Sequence, residues 1–106
     1  MKLIKFLEIV FNKDIQDCIP NSITHLTLGF HFNQKIKNCI PKSVKQLTFG
    51  LYFFQNLENC LLYSITHLTL GEYYDEKLTK FPSSLEYLHA SEDFIDQPNI
   101  FLREKY

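Results

Sequence analysis

Three kinds of side chain in this chain have chemistry to offer: imidazoles, thiols and a run of carboxylates. His25 and His67 share one context, Thr-His-Leu-Thr-Leu-Gly, and His89 sits in a related one, Tyr-Leu-His-Ala. Two imidazoles that share an ion must both bring a nitrogen within ~2.1 Å of it. If their segments are stacked strands, His25 and His67 lie two rungs, roughly 9.6 Å, apart, and His89 is offset diagonally from His67. Outward-facing surface histidines are expected, not a metal or catalytic site. The cysteines, Cys18, Cys39 and Cys60, are 21 residues apart each time. A zinc site would need four converging ligands with short spacings such as C-x₂₋₄-C, which this sequence lacks. Equal spacing marks one repeat position, and free cysteine packs as a small hydrophobe, so a buried, stacked, unoxidised set is expected. Adjacent rungs are close enough for a disulfide at ~4.8 Å, but in-register side chains do not point at each other and a reducing compartment opposes the bond. Glu72, Asp75, Glu76, Glu86, Glu92, Asp93 and Asp96 make the C-terminal half acidic. Paired carboxylates in a cleft can do acid–base work. Without a phosphate-cradling glycine loop or a nucleophile–base pair beside them, they read as a solvated edge open to an oppositely charged partner. No catalytic, cofactor or metal residues are expected, and the chain reads as a non-enzyme.

The residues that must position these groups form a repeat. Cys18-Ile19-Pro20-Asn21-Ser22-Ile23-Thr24-His25-Leu26-Thr27-Leu28-Gly29 recurs from Cys39 to Gly50 and from Cys60 to Gly71, and a shorter copy runs from Phe81 to Ser91. Fixed periods of this length belong to solenoids. Each copy contains Leu-x-x-Leu-x-Leu: Ile23, Leu26, Leu28; Val44, Leu47, Phe49; Ile65, Leu68, Leu70; Leu85, Leu88, Ala90. Its alternating, threonine-rich end predicts a short half-buried strand. Gly29, Gly50 and Gly71 follow, where glycine either turns the backbone at positive φ or lets one coil lie close upon the next. An aromatic then recurs at Phe11, Phe32, Phe53, Tyr74 and Phe94, expected as a core ladder, with Ile15, Ile36, Leu57 and Leu78 four residues on. Pro20, Pro41 and Pro82 lack an N–H for a central ladder and mark the turn into the next strand.

The predicted fold is a leucine-rich-repeat-like solenoid. It has one short parallel strand per 20–21-residue coil, mostly irregular or 3₁₀ returns, and about four strand-bearing coils. One coil cannot cover its own apolar side, so stacking buries it. The whole chain, 1–106, is read as one domain: an N-terminal cap or degenerate first coil over 1–10, coils over 11–98 and a tail over 99–106. Composition is ordinary, with 45% hydrophobic residues and a formal net charge of −1. There is no basic stripe for nucleic acid, no polybasic membrane patch, no apolar run approaching the ~20 residues of a membrane span and no signal-peptide h-region. No nucleic-acid or membrane partner is expected, and the expected location is intracellular, in the cytoplasm.

Phe32-Asn33-Gln34-Lys35-Ile36 and Ile40-Pro41-Lys42-Ser43-Val44-Lys45-Gln46-Leu47-Thr48-Phe49-Gly50 resemble the FNIP repeat. That repeat joins a Phe-Asn-x-Pro-Ile-type core to a Pro-x-Ser-aliphatic-x-x-Leu-x-Phe-Gly strand, and occurs in arrays in amoebal and large-DNA-virus proteins. The resemblance runs over about residues 11 to 98, with Lys35, Asn56 and Lys77 where the family core has proline. It implies a protein-interaction scaffold and no catalytic residues.

The expected function is therefore non-enzymatic binding of an unidentified protein on a flat parallel-sheet face. The rows His25, Gln46, His67, Tyr87 and Thr27, Thr48, Thr69, His89 would form that face, bordered by Tyr52 and Tyr73. The alternative is a structural or self-associating repeat, stacking end to end, or a remnant of a longer repeat array, with no specific client.

Overall fold

The computed structural model describes residues 4–61, 63–78 and 80–95. The tail expected over 99–106, Asp96 and Pro98 of the last coil, and Leu62, which replaces a turn proline, lie outside the described residues. Five strands form one sheet in chain order: β1 (Phe6–Ile9), β2 (His25–Leu28), β3 (Gln46–Phe49), β4 (His67–Thr69) and β5 (Tyr87–His89). All four pairings are parallel. A single-turn helix, α1 (Glu92–Ile95), follows β5. The returns between strands are turns and irregular backbone. Among the described residues the solenoid thus has five rungs, the additional one coming from the segment whose sequence allowed either a cap or a degenerate coil.

The strands form because alternation meets a one-sided core. Leu26, Leu47 and Leu68, and Leu28, Phe49 and Leu70, point inward and are buried; His25, Gln46, His67 and the threonines between are half-buried on the outer side. Ile23, Val44, Ile65 and Leu85 extend the interior. Facing them is the aromatic ladder: Phe32 and Phe53 stack with centroids 6.2 Å apart, Phe53 and Tyr74 at 6.1 Å, and Tyr74 and Phe94 at 5.8 Å. The Tyr74 hydroxyl donates to the Gln55 carbonyl at 2.8 Å. Burial pushes its pKa well above the ordinary phenol range.

Phe11 departs from the expected ladder: it is 73% exposed, although Ile15 four residues on is fully buried. The cause is the length of the first coil. Phe6 pairs with His25, 19 positions on, whereas the next two steps are 21 and the last is 20. In later coils a turn from Gly29, Gly50 or Gly71, closed by the N–H of Phe32, Phe53 or Tyr74, tips the aromatic inward. Phe11 follows Ile9, the last residue of β1, by only two positions, too few for that turn, and its ring stays outside.

Polar contacts knit neighbouring coils. The Asn12 side-chain oxygen accepts from the Asn33 N–H and the Gln34 amide, and Asn33 repeats this toward Phe54 and Gln55. Phe54 then ends the ladder, because a phenyl ring has nothing to accept with. The Ser22 and Ser84 hydroxyls donate to the Ile4 and Ile65 carbonyls of the preceding coil, while the hydroxyls of Ser43 and Ser64 are buried without a partner among the described residues.

The two alternatives open at the strand-end glycines resolve to close approach, since none has positive φ. A Cβ on Gly50 would stand 2.5 Å from the Gly29 carbonyl oxygen, and one on Gly71 2.6 Å from that of Gly50. Left-handed backbone falls instead on Asp17, Asn38 and Asn59, at φ of 59°, 63° and 62°. Each is the third residue of a turn closed by the next cysteine N–H, as in Cys39 to Ile36. Asp and Asn tolerate this conformation better than other side chains.

Candidate functional site

Strand register brings eight of the ten residues singled out in the sequence onto one sheet face. His25, Gln46, His67 and Tyr87 are consecutive partners in one outward row, and Thr27, Thr48, Thr69 and His89 in the next. β1 extends the rows with Phe6 and Glu8. Phe6 stacks on His25 at 4.3 Å and Tyr87 on His67 at 4.6 Å, leaving Gln46 between two ring pairs. Phe6 and Tyr87 are 69% and 64% exposed. A shallow groove of about 380 Å³ crosses β3 to β5 between Gln46, Thr48, His67, Thr69, Tyr87 and His89.

Two histidines are held by the residue before them. The Thr24 hydroxyl donates to the Lys5 carbonyl at 3.3 Å and lies 2.8 Å from His25 Nδ1. The Thr66 hydroxyl does the same with the Lys45 carbonyl and His67 Nδ1. A hydroxyl has one proton to give, so the tautomer of the ring decides whether it goes to the carbonyl or to Nδ1; in either tautomer the 2.8 Å contact holds Nδ1. The rings are thereby fixed in orientation and their chemistry is hydrogen bonding and stacking. Among the described residues no group of three or more His, Cys, Asp or Glu side chains could hold a metal ion, and no helix is long and apolar enough to cross a membrane.

Tyr52 and Tyr73 lie on the loop edge beyond the strands, in different settings. Tyr52 stacks on His31 at 5.6 Å and meets Phe30 edge-on at 5.1 Å. Tyr73 lines an open hollow of about 570 Å³ with Leu70, Glu72, His89, Glu92 and Asp93. Phe6 was legible only as part of a cap, because it aligns with His25 only after two residues are removed from the coil; the alternation Phe6-Leu7-Glu8-Ile9 is the signal that finds it.

The cysteines form a graded series, which corrects the uniform burial expected for them. Cys39 is buried, Cys60 half-buried and Cys18 exposed, all as free thiols. Cys18 belongs to the shortened first coil and has less chain over it. Burial raises the pKa of Cys39, with the Asp14 and Asp17 carboxylates adding to it, and burial also raises that of Cys60. A raised pKa lowers the thiolate fraction at a given pH, and the thiolate is the reactive form. Native labelling with a thiol reagent near pH 8, followed by mass spectrometry, should modify Cys18 first, then Cys60, then Cys39. Simultaneous labelling of all three would contradict this order.

The family model of the FNIP Repeat matches residues 11–52. Residues 11–52 carry FNIP repeats. A solved circular LRR protein, CroV588 from a giant virus, superposes with a TM-score of 0.75 at 42% identity over 81% of this chain. The chain spans 14% of the length of that protein. No curated protein matches. The FNIP match ends at residue 52, yet the same strand, turn and aromatic positions continue through β5 and Phe94. The protein is a leucine-rich-repeat-like solenoid, and such repeats commonly mediate protein interaction and are generally non-enzymatic.

Proposed function

We propose that this FNIP solenoid binds another protein on its outer sheet face, without catalysis and inside the cell. The observation that carries the reading is the pair of continuous outward rows, in which ring pairs flank Gln46 and the histidines are pre-oriented by Thr24 and Thr66. A surface already rigid before contact loses little ordering entropy on binding. Exposed Tyr87 and Tyr73 supply amphipathic anchors of the kind enriched at interfaces. The test uses a partner recovered from the native cell and remade in pure form. His67→Glu, Tyr73→Ala and Tyr87→Ala together should reduce its binding at least about a hundredfold, a loss matching two or three anchors of ~1 kcal/mol or more each. The melting temperature should hold. If this variant still binds and changes near Pro20 and Pro41 abolish binding, the face is misassigned.

A second reading, end-to-end stacking, is favoured by a different observation. Leu7 and Ile9 on β1, Leu88 on β5 and Ala90 just after it are only half-buried, whereas the same rows in the coils of β2 to β4 are closed. Another coil, from a second copy or a continuing array, would cover them. Such a heterologous contact builds rings or filaments. Sedimentation over a wide concentration range should then show growth beyond the monomer; a constant monomer mass removes association between copies.

A further inference from the structure

The loops that follow the strands form a stripe along one edge of the sheet, and its chemistry changes in one direction. Backbone proximity fixes the order. The Cα of Val10 lies against Gly29, that of Phe30 against Gly50 and that of Leu51 against Gly71, so these post-strand residues stack coil upon coil. At the N-terminal end the stripe is mostly apolar: Val10, Phe11 and Phe30 are all more than half exposed, with the Glu8 carboxylate at its border beside Gly29. In the middle Phe30, His31 and Tyr52 pack ring against ring. At the C-terminal end the equivalent pairs are Glu72-Tyr73 and Glu92-Asp93, lining the hollow of about 570 Å³. None of the five loop pairs contains a lysine or arginine.

We infer that this edge docks a short extended segment of a partner protein, apolar at one end and arginine- or lysine-bearing at the other, with its cation seated in the hollow beside Tyr73. Five loops at ~4.8 Å per rung span roughly 19 Å, which about six extended residues cover. The apolar half gains by covering rings that water now touches. The cationic half meets Glu72, Glu92 and Asp93, and a guanidinium additionally gains by lying on the tyrosine face. The same carboxylates repel phosphate, which disfavours nucleic acid and anionic lipid as occupants.

The proposal rests on the reading of the solenoid as a protein-binding scaffold and gives it a polarity. The probes are fluorescein-labelled peptides of about eight residues. One has a leucine–tyrosine half and an arginine half, one has the same composition scrambled, and one has aspartate in place of arginine. Fluorescence anisotropy with the full chain should show the segregated arginine peptide binding about tenfold or more tighter than the other two. Glu72→Lys, Glu92→Lys and Asp93→Lys together should reverse the preference between the arginine and aspartate peptides. Phe30→Ser with Tyr52→Ser should weaken both peptides while circular dichroism stays native. Failure of the segregated peptide to bind, equal binding of the scrambled one, or indifference to the lysine substitutions would each overturn the proposal. Those failures would leave the sheet-face assignment intact, because His67→Glu with Tyr87→Ala, the two of its three changes that lie on strands, alters no residue of this edge or its hollow.

Discussion

Leu47→Asp should unfold the domain, whereas Gln46→Asp, one residue earlier, should shift its melting by only a few degrees. Leu47 is 1% exposed in the central strand, between Leu26 and Leu68. A carboxylate there loses the leucine's burial and gains no partner, so it must either protonate or open the core. The combined cost should exceed ~4 kcal/mol, a large part of the ~5–15 kcal/mol that holds a domain together. Gln46 faces outward in the row His25, Gln46, His67, where substitutions usually stay within ~0.5 kcal/mol. Urea unfolding followed by circular dichroism separates the two, and equal losses would mean that the strand faces are inverted.

Gly50→Ala should be the most damaging single methyl group in the chain. The added carbon would sit 2.5 Å from the Gly29 carbonyl oxygen, 2.7 Å from its carbonyl carbon and 2.9 Å from the Phe30 Cα. All three are backbone atoms of the neighbouring coil, so no rotamer change relieves the contact. The coils must move apart, stretching the β2–β3 pairing and loosening the Phe32–Phe53 stack beside it. Overpacking of this kind costs about 3 kcal/mol, which in a domain this size lowers the melting temperature by roughly 12–24 °C. Gly29→Ala is the internal comparison. Its nearest contact is 3.0 Å, to the Ile9 carbonyl at the end of β1, and an end strand can shift where a middle one cannot. Equal effects at the two glycines would show that close approach is not what Gly50 provides.

The interior and the outward rows were legible because both rest on a strict period. The inward set Ile23, Leu26, Leu28 repeats after 21 and 21 residues and then after 20, and the partners His25, Gln46, His67 and Tyr87 follow from the same count. What escaped the sequence is what breaks or does not show the period. Phe11 has the right type and spacing, but the turn that would tip it inward is two residues short. Cys18 has the repeat position of Cys39 without its cover. The left-handed turn at Asp17, Asn38 and Asn59 lay in plain view as a run of Asp and Asn before each cysteine. The glycines drew attention away from it, since they offered two explanations and only close packing applied. The ring pairs Phe6–His25 and His67–Tyr87 depend on side-chain rotamers, which spacing alone does not set.

The parallel pairing has a consequence for how the chain folds and how its length can change. Every rung joins residues one coil apart, so each step of assembly closes a loop of about 20 residues at nearly the same entropic cost. Assembly then resembles a zipper: any adjacent pair of coils can start it, and it spreads to either side. Gain or loss of a whole coil merely adds or removes one equal tooth. A single residue inserted within a strand would turn Leu47 or its counterparts out to water. The one- and two-residue differences between coils are accordingly found in the returns, and the in-register strands are spared.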